Sequence, residues 1–124
     1  MNIKSYTDLS QSRKLAEILP LESADMLFQL GENKYADSIR VPLTKEHWEQ
    51  MMPAINPCWS LAALLKYLSE IKPQVYTPIL FPSEGKWILQ FVEYGHGNVC
   101  EVSCDNPVDA CVDMIIRLHE LNLL

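Results

Sequence analysis

No apolar run in this chain approaches the roughly 20 residues that a membrane-spanning helix needs. The longest candidates, such as Leu61–Leu65, are far shorter. The opening Met1-Asn2-Ile3-Lys4-Ser5 leads into polar residues, not into an apolar signal region. These two absences lead to the expectation of a cytoplasmic chain that does not enter a membrane. Thiols stay reduced in that compartment, so the four Cys are expected to be free.

Positive charge is also scarce. Ten Lys and Arg stand against sixteen Asp and Glu, for a net charge of -6. The basic residues are scattered, with Arg13-Lys14 the one adjacent pair. Nucleic-acid binders draw most of their affinity from Lys and Arg on phosphates, so no nucleic-acid partner is expected. A solubilising surface accounts for the acidic balance. An inhibitor that imitates nucleic acid would fit the charge too, and would gather its carboxylates on one face.

Motifs of reaction chemistry are missing as well. Cys100 and Cys104 are too far apart on an extended segment, roughly 13 Å, to share a zinc with Zn–S bonds of about 2.3 Å. No paired CxxC or His motif completes a ligand set. Gly95-His96-Gly97 lacks the following helix of a phosphate loop, and Ser60 lacks a nucleophile-elbow setting. No catalytic residue, metal site or cofactor is therefore expected.

What the chain does have is enough apolar material for one core. It spans 124 residues, 48% of them hydrophobic, with three Trp, five Tyr and three Phe. That length suits a single domain over residues 1–124, which folds without disulfides or metals. There is no internal repeat, linker or low-complexity tract.

The pattern of elements is α-β-β-α-β-β-β-α. A first helix is expected near Thr7–Leu19, capped by Thr7 and ended by Pro20. Ala24–Leu30 and Ser38–Pro42 read as strands of a hairpin about Gly31–Lys34. Thr44–Met52 could form a short helix. A second strong helix is expected over Pro57–Ile71, with Asn56 as its cap and Pro57 at its first position. Leu61, Leu64, Leu65 and Leu68 give it a stripe at helical spacing.

Three strands follow. Val75–Phe81 is β-rich, and Pro78 marks it as an edge or a bulge. Trp87–Tyr94 is the best strand in the chain. Its Trp87, Leu89 and Phe91 point one way and Ile88, Val92 and Tyr94 the other, which suits a central strand. Val99–Cys104 returns after the Gly95–Asn98 turn. The last helix has Asn106 as cap, Pro107 at its start and a stripe of Val108, Cys111, Ile115 and Leu118. Short turns between the last strands make them antiparallel. The fold class is therefore α+β, an antiparallel sheet built from a hairpin and a three-stranded meander, with helices packed on one face.

Three stretches stand out together: Leu21-Glu22-Ser23-Ala24-Asp25-Met26, Pro57-Cys58-Trp59-Ser60-Leu61-Ala62-Ala63-Leu64-Leu65 and Asp105-Asn106-Pro107-Val108-Asp109-Ala110-Cys111. Their order and spacing resemble a group of small uncharacterised proteins of gut Bacteroidetes genomes, often encoded beside phage or mobile-element genes. The resemblance spans most of the chain and departs at Cys58, where that group usually carries Ala. It implies a bacterial or phage cytoplasmic setting and brings no catalytic residue or ligand. Capping and packing explain the residue types in all three stretches.

Four residues are candidates for binding. Tyr76 and Phe81 lie on the expected edge strand, which could accept a partner strand or be protected by Pro78. His96 sits between two glycines at a turn tip, where it could meet a ligand or simply be exposed. Cys58 falls near a helix amino end, where a thiol pKa drops. The expectation is a non-catalytic protein-interaction or accessory module with a protein partner. The alternative is a small enzyme using a cysteine thiol.

Overall fold

In a computed structural model, residues 4–29, 39–42 and 56–124 are described. The turn expected at Gly31–Lys34 and the helix expected at Thr44–Met52 lie outside them.

Helix α1 spans Leu9–Ala16. Its cap is Asp8 rather than Thr7: Asp8 accepts from the Gln11 N–H, and Gln11 Oε1 accepts from the Asp8 N–H, a reciprocal capping box. Thr7 is buried instead and accepts at its hydroxyl from the Trp59 N–H at 3.1 Å. A 3-10 turn at Leu21–Ser23 leads into β1 (Met26–Gln29), which pairs antiparallel with β2 (Ile39–Pro42).

The sequence expectation fails at Asn56-Pro57-Cys58. These residues form a short strand, β3, that pairs with β1 through Met26↔Cys58 and Phe28↔Asn56. The helix expected to start at Pro57 starts four residues later, as α2 (Leu61–Ser69). Ser60 caps it, accepting from the Ala63 N–H at 3.1 Å. The hairpin thus forms a three-stranded sheet of its own, in the order β2-β1-β3.

The second sheet is the meander β4 (Tyr76–Ser83), β5 (Lys86–Glu93) and β6 (Gly97–Cys104), in that spatial order and antiparallel throughout. Glu84 and Gly85 join β4 to β5 with φ of +50° and +79°. Positive φ at both central residues matches the right-handed twist of the flanking strands. The turn from β5 to β6 returns the His96 N–H to the Glu93 C=O at 3.0 Å, and Gly95 takes φ +82° at its third position.

Helix α3 (Pro107–Glu120) keeps the expected cap and stripe. Asn106 Oδ1 accepts from the Asp109 N–H at 2.9 Å, and Val108, Cys111, Ile115 and Leu118 are fully buried. Helix α2 lies against β4, α3 lies against β5 and β6, and the two helices touch. Leu64 and Leu68 from α2, Met114 and Ile115 from α3, and Leu89, Phe91 and Val102 from the sheet form one core. Burial of these side chains, at about 25 cal/mol per Å² of apolar surface, is the main force holding the layers together. The α+β class and the element order expected from the sequence hold, with β3 added. Among the described residues, no helix is long and apolar enough to cross a membrane.

Candidate functional site

The face of the meander turned away from α2 and α3 is the most distinctive surface of the described residues. Its composition follows from register. The Tyr94 N–H donates to the Val75 C=O at 2.9 Å, and the ladder continues as Thr77↔Val92, Ile79↔Gln90, Phe81↔Ile88 and Ser83↔Lys86. Side chains alternate along a strand, so these pairs share one face. Tyr76, Leu80, Leu89 and Phe91 take the other and pack into the core.

Six of the outward side chains are apolar: Val75, Ile79 and Phe81 on the β4 side, Ile88, Val92 and Tyr94 on the β5 side. Val75, Ile79 and Tyr94 are 38%, 43% and 57% exposed, large values for side chains of this kind. Phe81, Ile88 and Val92 are half-buried beside them. Strand β6 ends the ribbon with polar neighbours, since Glu101 stands opposite Gln90, Ser103 opposite Ile88 and Asn98 opposite Val92. Gln90 Nε2 donates to Glu101 Oε1 at 2.7 Å across this boundary.

Among the described residues no strand pairs with the outer edge of β4, and that edge offers few donors to an added strand. Antiparallel backbone groups point alternately toward and away from the neighbouring strand. The Val75–Tyr94 bond sets that alternation, so Thr77, Ile79, Phe81 and Ser83 direct their backbone groups at β5. Tyr76, Pro78, Leu80 and Pro82 direct theirs outward. The Tyr76 N–H is already used by the Lys72 C=O at 3.0 Å, and the two prolines have none. Leu80 is left as the single outward donor of the strand. Prolines at these positions sacrifice no ladder bond and deny a partner its register.

The candidates from sequence part company here. Phe81 belongs to the ribbon. Tyr76 does not: it faces the core and stacks on Phe91, with ring centroids 5.0 Å apart and planes at 29°. His96 is exposed at the apex of the β5–β6 turn, next to Gly95 and two residues beyond Tyr94. Cys58 is fully buried at the end of β3, two residues before the cap of α2. Its sulfur receives a hydrogen bond from the Thr7 hydroxyl at 3.7 Å and donates to the Thr7 C=O at 3.5 Å. Ile79, Ile88, Val92 and Tyr94 were not singled out as binding residues. The signal was the alternation itself, which put apolar side chains on both faces of β4 and β5.

The other thiols are placed for packing. Burial, followed by a hydrogen bond to Asp113 at 3.3 Å and nearby carboxylates, pushes Cys104 up to about 11. Burial pushes Cys111 up to about 12, with the Cys104 charge adding to it. Thiols so protonated are poor nucleophiles. Among the described residues, no three His, Cys, Asp or Glu side chains converge as metal ligands.

The three stretches noted in the sequence serve to tie elements together. Trp59 Nε1 donates to Ser23 Oγ at 3.0 Å, and the Ser60 N–H donates to Asp25 Oδ1 at 2.9 Å. Asp109 Oδ1 accepts from Lys4 at 2.8 Å and Gln11 at 2.7 Å. Comparison with protein-family models, with curated proteins and with solved structures finds no match to this chain.

Proposed function

We propose that this chain is a non-catalytic protein-interaction module of a bacterial or phage cytoplasm, and that its partner docks on the outer face of the β4–β6 sheet. The observation that carries this reading is the continuous ribbon of Val75, Ile79, Phe81, Ile88, Val92 and Tyr94. An exposed, contiguous apolar surface rimmed by polar residues is the usual mark of a docking site. Phe81 and Tyr94 supply the aromatic side chains that concentrate binding energy in interfaces. The thiol chemistry needed by a cysteine enzyme has less support, because Cys58 is sealed and Cys104 and Cys111 hold their protons.

The test is capture from the native cell with the wild-type chain, Ile79→Ser and Tyr94→Ser as parallel baits. The reading expects one partner retained by the wild type and lost by both variants, with circular dichroism unchanged. Equal retention by all three baits would remove the ribbon from the interface.

A further inference from the structure

We infer that the occupant of the ribbon is a single amphipathic helix of about 14 residues, with cationic side chains along the flank that overhangs β6. This inference rests on the docking face proposed above and adds the chemistry of the partner.

Shape comes first. The apolar side chains of the ribbon run from Val75 to Phe81, opposite Tyr94 to Ile88, about 20 Å at about 3.4 Å per residue, and the ribbon is about 10 Å wide. One helix is about 10 Å across, and about 14 of its residues span the same 20 Å. A partner strand has no way in at β4, because Pro78 and Pro82 occupy outward-facing positions there. Among the described residues the outer edge of β6 is unpaired, but a strand added there would lie beyond Glu101 and Ser103 and would not cover the ribbon. An occupant lying across the ribbon has to satisfy its own backbone groups while presenting an apolar stripe, and a helix as wide as the ribbon does both.

Area and charge argue against a second copy of this chain. A ribbon about 20 Å by about 10 Å covers about 200 Å², short of the roughly 800 Å² per partner that a stable dimer buries. Each copy would also bring a net charge of -6. Around the ribbon, Glu101 lies on the β6 flank and Glu84 in the β4–β5 turn, while Asp105 pairs with Lys86 and neutralises it. Lys72 is the cation at the opposite corner, beside Val75. The β6 flank is thus the negative side, and it selects cations on the helix edge above it.

The test is a selection of displayed 14-residue peptides against the full chain. The pool mixes equal numbers from a helix-patterned library and an extended, proline-punctuated library. Ile79→Ser and Tyr94→Ser chains, each checked for a native circular dichroism spectrum, serve as counter-targets. The expected winners are helix-patterned, carry Lys or Arg along one flank, and lose at least about tenfold in affinity on each variant. Extended or acidic winners that still depend on Ile79 and Tyr94 would overturn the helix while leaving the docking face in place. Winners indifferent to both variants, or no winners from either library, would overturn both. A wild-type dimer in sedimentation that Ile79→Ser dissociates would assign the face to a second copy and overturn the inference.

Discussion

Lys4 Nζ and Asp109 Oδ1, 105 residues apart in the chain, meet at 2.8 Å. The contact belongs to a strap. The Leu61 N–H donates to the Ser5 C=O, and the Thr7 N–H donates to the Trp59 C=O, both at 3.0 Å. Gln11 Nε2 then reaches Asp109 at 2.7 Å. The segment before α1 thus joins the start of α2 to the start of α3, and it closes the layer opposite the ribbon.

Asp109 is the point where that strap can be weakened. Burial raises its pKa, but hydrogen bonds from Lys4, Gln11 and Asn106, with the Lys4 charge, outweigh burial and hold the carboxyl below its ordinary value. A carboxyl depressed in the folded state stabilises the protein above its unfolded pKa, about 3.9, and that contribution is lost as pH falls through the folded value. Asp109→Asn should therefore cost about 1 kcal/mol near pH 7, a figure kept low because solvent screens the site. Urea unfolding measured from pH 7 to pH 2 checks both parts. The variant's deficit should shrink below about pH 4.

Ser60 has two duties, and one substitution removes both. Its hydroxyl accepts the Ala63 N–H and donates to Asp25, while its own N–H donates to Asp25 Oδ1 at 2.9 Å. Ser60→Ala should destabilise by about 1–2 kcal/mol, the usual range for a lost helix cap. Asp25→Ala combined with it should be less than additive, because the two residues share a contact. A double-mutant cycle from chemical unfolding measures the coupling, and strict additivity would show that the pair does not act together.

Local signals were legible in the sequence where they were read, and non-local ones were not. Asn106-Pro107 announces α3 because cap and first turn depend only on neighbours in the chain. The two-faced alternation of Trp87–Tyr94 announces the central strand for the same reason. Asn56-Pro57 carries the same helix-start signal as Asn106-Pro107, yet it is strand, because β1 pairs with it. Only tertiary context separates these two cases. Cys58 is fully buried and its sulfur bonds to Thr7, 51 residues away, and no local pattern reports either. The ribbon was half legible: parity along β4 separates Phe81 from Tyr76, but the binding face emerges only once the helices are seen to cover the other side.

Thiol labelling should divide the cysteines by environment. Cys58 and Cys111 are fully buried, whereas Cys100 is half-buried and lines an open depression with Arg117, Glu120 and Leu121. Cys104, pushed up to about 11, is only about 1% thiolate at pH 9. In native protein at pH 8, a maleimide or aromatic disulfide reagent should modify Cys100 first and Cys104 slowly. Cys58 and Cys111 should react only on unfolding. Peptide mapping by mass spectrometry assigns the sites. Rapid modification of Cys58 in folded protein would restore the thiol-enzyme alternative.

The prolines of β4 provide the last test, because their role is to prevent an event. Pro78 and Pro82 lie at outward positions, where an N–H would be offered to solvent or to another chain. Replacing both with Thr restores two donors and raises β-propensity without removing any bond to β5. The fold should survive, since these positions make no ladder bond to lose. What changes is the edge: with Leu80 it would present three outward donors next to an apolar face. Such an edge is a template for pairing. Pro78→Thr/Pro82→Thr should therefore self-associate at concentrations where the wild type is unchanged in sedimentation, and Ile79→Lys added to it should suppress the association. A double variant that sediments like the wild type would mean that the prolines do not guard the edge, and the case against strand addition would lose its footing.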